Sequence, residues 1–189
     1  MTRRLFLFDT PDRFIAGTVG QPGNRTFFLQ AREGSRIVSV VLEKVQVAAL
    51  AERLDDLLDE LAKRGVADAD EVEESSDGGP LDEPINEAFR AGTLSLGWDG
   101  SSERVLVEAR AQGEEDEEED DDEEEDEVTD DAPDGPDLLR VRMSASAARV
   151  FVARAVNVLA GGRPPCPLCG QPLDPQGHLC PRRNGHLLN

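Results

Sequence analysis

The stretch CPLCGQPLDPQGHLC, residues 166–180, holds all three cysteines of a 189-residue chain and one of its two histidines. Two residues between Cys166 and Cys169 let both sulfurs face one ion, and Gly170 supports the tight turn of a zinc knuckle. A tetrahedral structural zinc needs two more ligands. Cys180 supplies the third. His178 suits the fourth, because residues two apart on an extended strand point the same way; His186 is the other candidate, reaching back across Asn184-Gly185. The expectation is one structural zinc on Cys166, Cys169, His178 and Cys180. Pro164-Pro165 and the turn pairs Asp174-Pro175 and Gln176-Gly177 favour a compact reversal over a loose reduced tail. A redox CxxC would call for a βαβ setting, and a catalytic zinc for an open position that five candidate ligands would fill. A tail this short has no core of its own and would fold only with metal bound.

Other chemistry is sparse. The second histidine, His186, also lies in the tail, and the chain has no tyrosine. Asp9, Asp12, Arg13, Arg25 and Arg32 cluster near one strand–turn region, yet nothing marks them as acid, base or nucleophile. GQPGNR at 20–25 lacks the Gly-Lys-Ser/Thr ending and the following helix of a phosphate loop, so it reads as a hairpin turn. Trp98, the single tryptophan, either anchors a partner or packs over the sheet edge. A non-enzymatic interaction or adaptor protein, with a protein partner, is therefore the expected class. The alternative is an enzyme acting on a phosphorylated small molecule, with Arg25, Arg32 and nearby carboxylates in a pocket between two halves of the chain.

Charge bears on partners. The chain has 40 acidic and 20 basic residues, a net charge of -20. Glu114 to Glu127 is an unbroken acidic run, and with Asp130 and Asp131 it holds sixteen acids; without them 24 acids face 20 bases. The run reads as a solvated segment, and it lacks the spaced ligands and glycine of a calcium loop. Nucleic acid is disfavoured as a partner, since Arg182 and Arg183 cannot offset this charge. No apolar stretch approaches the roughly 20 residues that span a bilayer. LFLF behind two arginines is too short for a signal peptide. A cytoplasmic location is expected.

The elements that position these residues come from an internal repeat. RFIAGT at 13–18 recurs as AFRAGT at 88–93, and RTFFLQAR at 25–32 as ERVLVEAR at 103–110. Each pair leads to another apolar segment, IVSVVLEK at 37–44 or LLRVRMSA at 138–145, and then to a helical pattern. Alternating apolar and polar residues predict strands with one buried face. QPGN (21–24) and WDGS (98–101) predict reversals. Leu50, Leu54, Leu57, Leu58 and Leu61 form the stripe of a helix over about 45–64. Val150, Phe151, Ala155, Val158 and Leu159 do so for a helix over about 146–159, capped by Ser144 or Ser146 and stopped at Gly161-Gly162. LFLFD adds an N-terminal strand.

The fold class expected is α+β: two strand-strand-strand-helix units with antiparallel sheet, related by an approximate twofold, plus a small zinc-binding tail. The first unit takes 1–65, an acidic linker 66–84, the second unit 85–162 and the tail 163–189. An acidic insert, 112–136, interrupts the second unit where the first has only Glu33-Gly34-Ser35. Linker and insert are too polar to offset the entropy of ordering and are expected to be disordered.

Three segments, PDRFIAGTVGQPGNRTFFLQA, LDEPINEAFRAGTLSLGWD and PPCPLCGQPLDPQGHLCPRRNGH, together resemble an actinobacterial family catalogued as a domain of unknown function. The resemblance covers the chain apart from the acidic segments. It implies one member of a trio of actinobacterial proteins without an assigned reaction, and it carries over no catalytic residues. An origin in Actinobacteria agrees with the basic residues being eighteen arginines and only Lys44 and Lys63, the mark of a GC-rich genome.

Overall fold

The structure, a computed structural model, describes residues 3–66, 77–113 and 135–161, with Leu168 beyond them. The elements run β1 (Leu5–Phe8), β2 (Arg13–Gln21), β3 (Asn24–Glu33), β4 (Arg36–Leu42), α1 (Lys44–Lys63), β5 (Glu87–Asp99), β6 (Arg104–Ala111), β7 (Leu138–Met143) and α2 (Ala145–Ala160). They form a mixed α+β fold with one seven-stranded sheet, ordered β1-β7-β6-β5-β4-β3-β2.

Alternation in the strands divides the core. Phe14 and Ala16, Leu29 and Ala31, and Val38, Val40 and Leu42 join Val105, Val107, Leu139 and Val141 in one cluster with the helices. Ile15, Phe28 and Val41 face the other way, into a smaller cluster. The leucine stripe of α1 is buried at Leu50, Leu54, Leu58 and Leu61. Of the stripe expected on α2, Phe151 and Ala155 are buried, and Ala148 and Val152 join them. Phe151 stacks on Phe14 of β2 with centroids 4.8 Å apart, within the preferred range for aromatic pairs. Ser144 caps α2, its Oγ accepting from the Ala147 N–H at 3.2 Å.

The sheet is mixed, which corrects the antiparallel expectation. Each trio β2-β3-β4 and β5-β6-β7 is antiparallel internally. The trios meet at a parallel pair, β4 with β5, and β1 joins β7 in parallel. A strand that leaves through a helix and returns as its neighbour comes back in the same direction. The second trio lies beside the first in the same order and direction, displaced by three strands along the sheet.

Register shows which sequence matches occupy equivalent places. Gln30 faces Ser39 and Arg32 faces Ile37; the corresponding pairs are Glu108–Arg140 and Arg110–Leu138. RTFFLQAR and ERVLVEAR therefore sit alike. The Ala-Gly-Thr match does not. Gly17 lies opposite Phe28, and the glycine in that position in the second trio is Gly97, opposite Leu106. Gly92 falls instead where the β5–β6 register shifts between Ala91 and Thr93.

The sheet must curl. Six strand spacings of about 4.8 Å would hold the edges of a flat sheet about 29 Å apart. Yet the edge strands β1 and β2 are joined by only residues 9–12, a link of at most about 18 Å. Phe8 of β1 and Phe14 of β2 accordingly share one core, and the Arg36 guanidinium of β4 lies 4.0 Å from the Phe8 ring centroid.

The linker expectation is corrected in part. Within 66–84, residues 77–84 are laid in an ordered path along the molecule, because Leu81 is buried with Ile15, Phe28 and Val41. Of the insert at 112–136, residues 114–134 lie outside the described residues, as do 67–76 of the linker.

Candidate functional site

Among the described residues, a dense set of polar side chains lies where residues 77–82 wrap the edge of β2. Arg154 of α2 is almost fully buried. Its Nε donates to Ala16 O at 2.7 Å and Nη2 to Gly79 O at 2.6 Å, while Nη1 donates to Asp77 O. Ala16 belongs to an edge strand, whose outward carbonyls have no partner strand; here arginine supplies one. Arg13 grips Asp77 through two nitrogens and reaches Pro80 O at 2.8 Å and Asp82 Oδ2 at 2.9 Å. The fork geometry of guanidinium suits such paired contacts.

Gln30 completes the grip. On the outer face of β3, its Oε1 accepts from the Asp82 N–H at 2.7 Å and its Nε2 donates to Asp82 O at 3.0 Å. Leu81 meanwhile fills the space over Gly17, where a Cβ would meet Leu81 Cδ2 at 2.6 Å. Arg32 Nε lies 3.3 Å from Asp82 Oδ2 but out of line for a hydrogen bond. The Arg13 hydrogen bond holds the Asp77 carboxyl down at about 2, and the same contact raises the pKa of Arg13. Burial lowers that of Arg154. Chemically, this is a receptor for an extended acidic peptide: a glycine floor for leucine, an amide for the backbone and arginines for carboxylates. Its occupant is the chain's own segment.

Of the five groups read from the sequence as nearest to a catalytic set, Arg13 and Arg32 meet at Asp82 Oδ2, with Asp12 3.8 Å from Arg32, while Asp9 and Arg25 stand apart. Asp9 accepts from Arg142 at 2.5 Å, and Asp12 accepts from the Gly34 N–H at 2.6 Å. Arg13 and Arg32 face the wrapped segment. Arg25, at the far end of β3, donates to Gly161 O at 2.5 Å beside a cleft lined by Pro22, Phe27, Lys44 and Leu159. Seven residues of strand, about 23 Å, separate Arg25 from Arg32. Trp98 packs half-buried against the core. A larger cleft, of about 640 Å³, lies between α1 and β5, lined by Gln46, Leu50, Arg53, Thr93, Leu94 and Leu96. Sequence reading missed the wrapped segment; Leu81 and Ile85, spaced four apart in an otherwise polar stretch, were its only trace.

The zinc candidates Cys166, Cys169, His178 and Cys180, with His186, lie outside the described residues. Among the described residues no helix is long and apolar enough to cross a membrane.

A family model described as a protein of unknown function, DUF3090, matches residues 6–180. The chain belongs to that family. The match spans both trios, the wrapped segment and the tail through Cys180. No curated protein matches the chain, and no solved structure does.

Proposed function

We propose that this DUF3090 protein is a non-enzymatic, cytoplasmic adaptor of Actinobacteria. Its duplicated sheet carries a small tail folded around one structural zinc held by Cys166, Cys169, His178 and Cys180, and it works by binding a protein partner. One observation carries the reading: each of Asp9, Asp12, Arg13, Arg25 and Arg32 is engaged within the fold. A catalytic set needs groups aimed at one vacant point, and these are spent on holding backbone and side chains together. The tail's four ligands supply the closed sphere of a structural metal.

The enzyme alternative draws support from the cleft between α1 and β5, which joins one repeat to the other and exposes Arg53. A single arginine with Thr93 and Gln46 suits holding an anion better than turning it over, so the adaptor stands first.

Native mass spectrometry of the protein purified from its own host tests both. One zinc and one stoichiometric protein partner are expected. A metal-free monomer that retains a small molecule would overturn the adaptor and its zinc together.

A further inference from the structure

The outer face of the second trio has the register of the first, so each position has a counterpart. Gly17–Phe28 and Ile15–Gln30 correspond to Gly97–Leu106 and Ser95–Glu108. Arg32 of the first trio corresponds to Arg110 of the second. In the first trio Leu81 fills the space over Gly17 and Asp82 meets Arg32. In the second, no described residue lies within 4 Å of the space over Gly97; Arg110 Nε is buried without a hydrogen-bond partner, as Arg32 Nε is, and the described carboxylate that Arg110 meets is Glu108, 3.4 Å away on its own strand. The glycine floor and the arginine recur; among the described residues the leucine and the aspartate do not.

The chain carries the missing pair elsewhere. Pro80-Leu81-Asp82 follows α1, and the same tripeptide, Pro172-Leu173-Asp174, follows α2. We propose that Pro172-Leu173-Asp174 docks on the outer face of the second trio as Pro80-Leu81-Asp82 docks on the first, with Leu173 over Gly97 against Leu106 and Asp174 on Arg110.

Reach allows it. Arg25 fixes the end of α2 at the β2–β3 hairpin through Gly161 O. From there to β5–β6 is three strand spacings, about 14 Å, and the twelve residues up to Leu173 extend to about 40 Å. The second face is the more polar. Ser95, Arg140 and Arg142 stand where the first has Ile15, Ser39 and Val41. Glu108 can accept a backbone N–H, but unlike Gln30 it cannot also donate. Docking there leans on charge and weakens with salt. The proposal rests on the zinc reading in one respect: Cys169 and His178 bracket the tripeptide and would set its loop.

Photo-leucine, an isosteric diazirine analogue, tests this in the full-length, metal-loaded protein, with cross-links mapped by mass spectrometry. Leu81 serves as internal standard through its links to β2–β4. Leu173 is expected to link to residues 93–97 or 104–110, and Leu106 to residues 171–176. Gly97→Phe, which fills the floor, and Asp174→Arg, which leaves the sheet untouched, should each lower that yield about tenfold or more. Links from Leu106 to the acidic insert at 114–131 would overturn the proposal, as would Leu173 linked elsewhere or nowhere while Leu81 links normally. Repeating the experiment after chelation separates the two readings. Stoichiometric zinc without the Leu173 link defeats docking alone, and a link that survives in metal-free protein keeps docking while removing its dependence on zinc.

Discussion

Gln30 and Asp82, fifty-two residues apart in sequence, are joined through both backbone groups of Asp82, as one strand residue joins another. Gln30 is buried, with 1% of its surface exposed, so losing these bonds leaves polar atoms without water. Gln30→Leu should lower unfolding stability by about 1–3 kcal/mol and open residues 77–84 to protease. A change in the denaturation midpoint without faster cleavage there would contradict the role.

Arg154 serves three carbonyls at once. Lysine keeps the charge but not the fork. Arg154→Lys is expected to cost about 2–4 kcal/mol, read as a fall in the urea midpoint. A variant as stable as the parent would show that charge alone suffices.

Asp77 gives the acid response a direction. Its carboxyl sits at about 2 in the fold against an ordinary 3.8. A depressed acid pKa contributes stability above the unfolded value and loses it as pH falls through the folded one. The contribution should be complete above about pH 5 and gone near pH 1. Comparison with Asp77→Asn isolates it: the urea midpoints of the two proteins should converge across that window. Parallel curves would remove Asp77 from the account.

The acidic insert leaves and re-enters the sheet between neighbouring strands, since the Ala111 N–H donates to Asp137 O at 2.8 Å. Closure entropy rises only with the logarithm of loop length. Replacing residues 114–134 by a short Gly-Ser turn should shift stability by less than about 1 kcal/mol. A larger loss would mean the insert contributes contacts of its own.

Cys166→Ala with Cys169→Ala should abolish zinc binding and tail protection in hydrogen exchange, while the melting of the sheet and helices stays within about 0.5 kcal/mol. Stoichiometric zinc in that double variant would refute the ligand assignment.

Much of the architecture was legible because burial leaves a period in sequence. The stripe from Leu50 to Leu61 placed α1 within one residue of Lys44–Lys63, and alternation in FFLQAR and VLVEAR placed β3 and β6. Joins between elements leave no such period. The parallel β4–β5 contact depends on where α1 returns the chain, and no single residue announces it. The Ala-Gly-Thr match misled, because Gly92 serves a bulge whereas the true counterpart of Gly17, Gly97, lies in an unrelated Leu-Gly-Trp context. The wrapped segment was hidden by composition. Its Asp, Gly and Pro look like a solvated linker until the partners Arg13, Arg154 and Gln30 are folded against it. The zinc ligands were read from spacing alone.

The parallel pairing of β1 with β7 sets Leu5 opposite Leu138, which has a consequence during synthesis. A ribosome adding about 5–20 residues per second makes the first strand roughly 7–27 s before β7, its neighbour among the described strands, emerges. Until then Leu5-Phe6-Leu7-Phe8 is a nascent apolar ribbon with nothing to pair with, the kind of segment that seeks strands in other chains. Arg3 and Arg4 stand directly before it, charges of the sort that keep such ribbons apart. Once β7 arrives, Arg4 is put to a second use, pairing with Asp137 beside the new strand, so the guard of the unfinished chain becomes a clasp of the finished one.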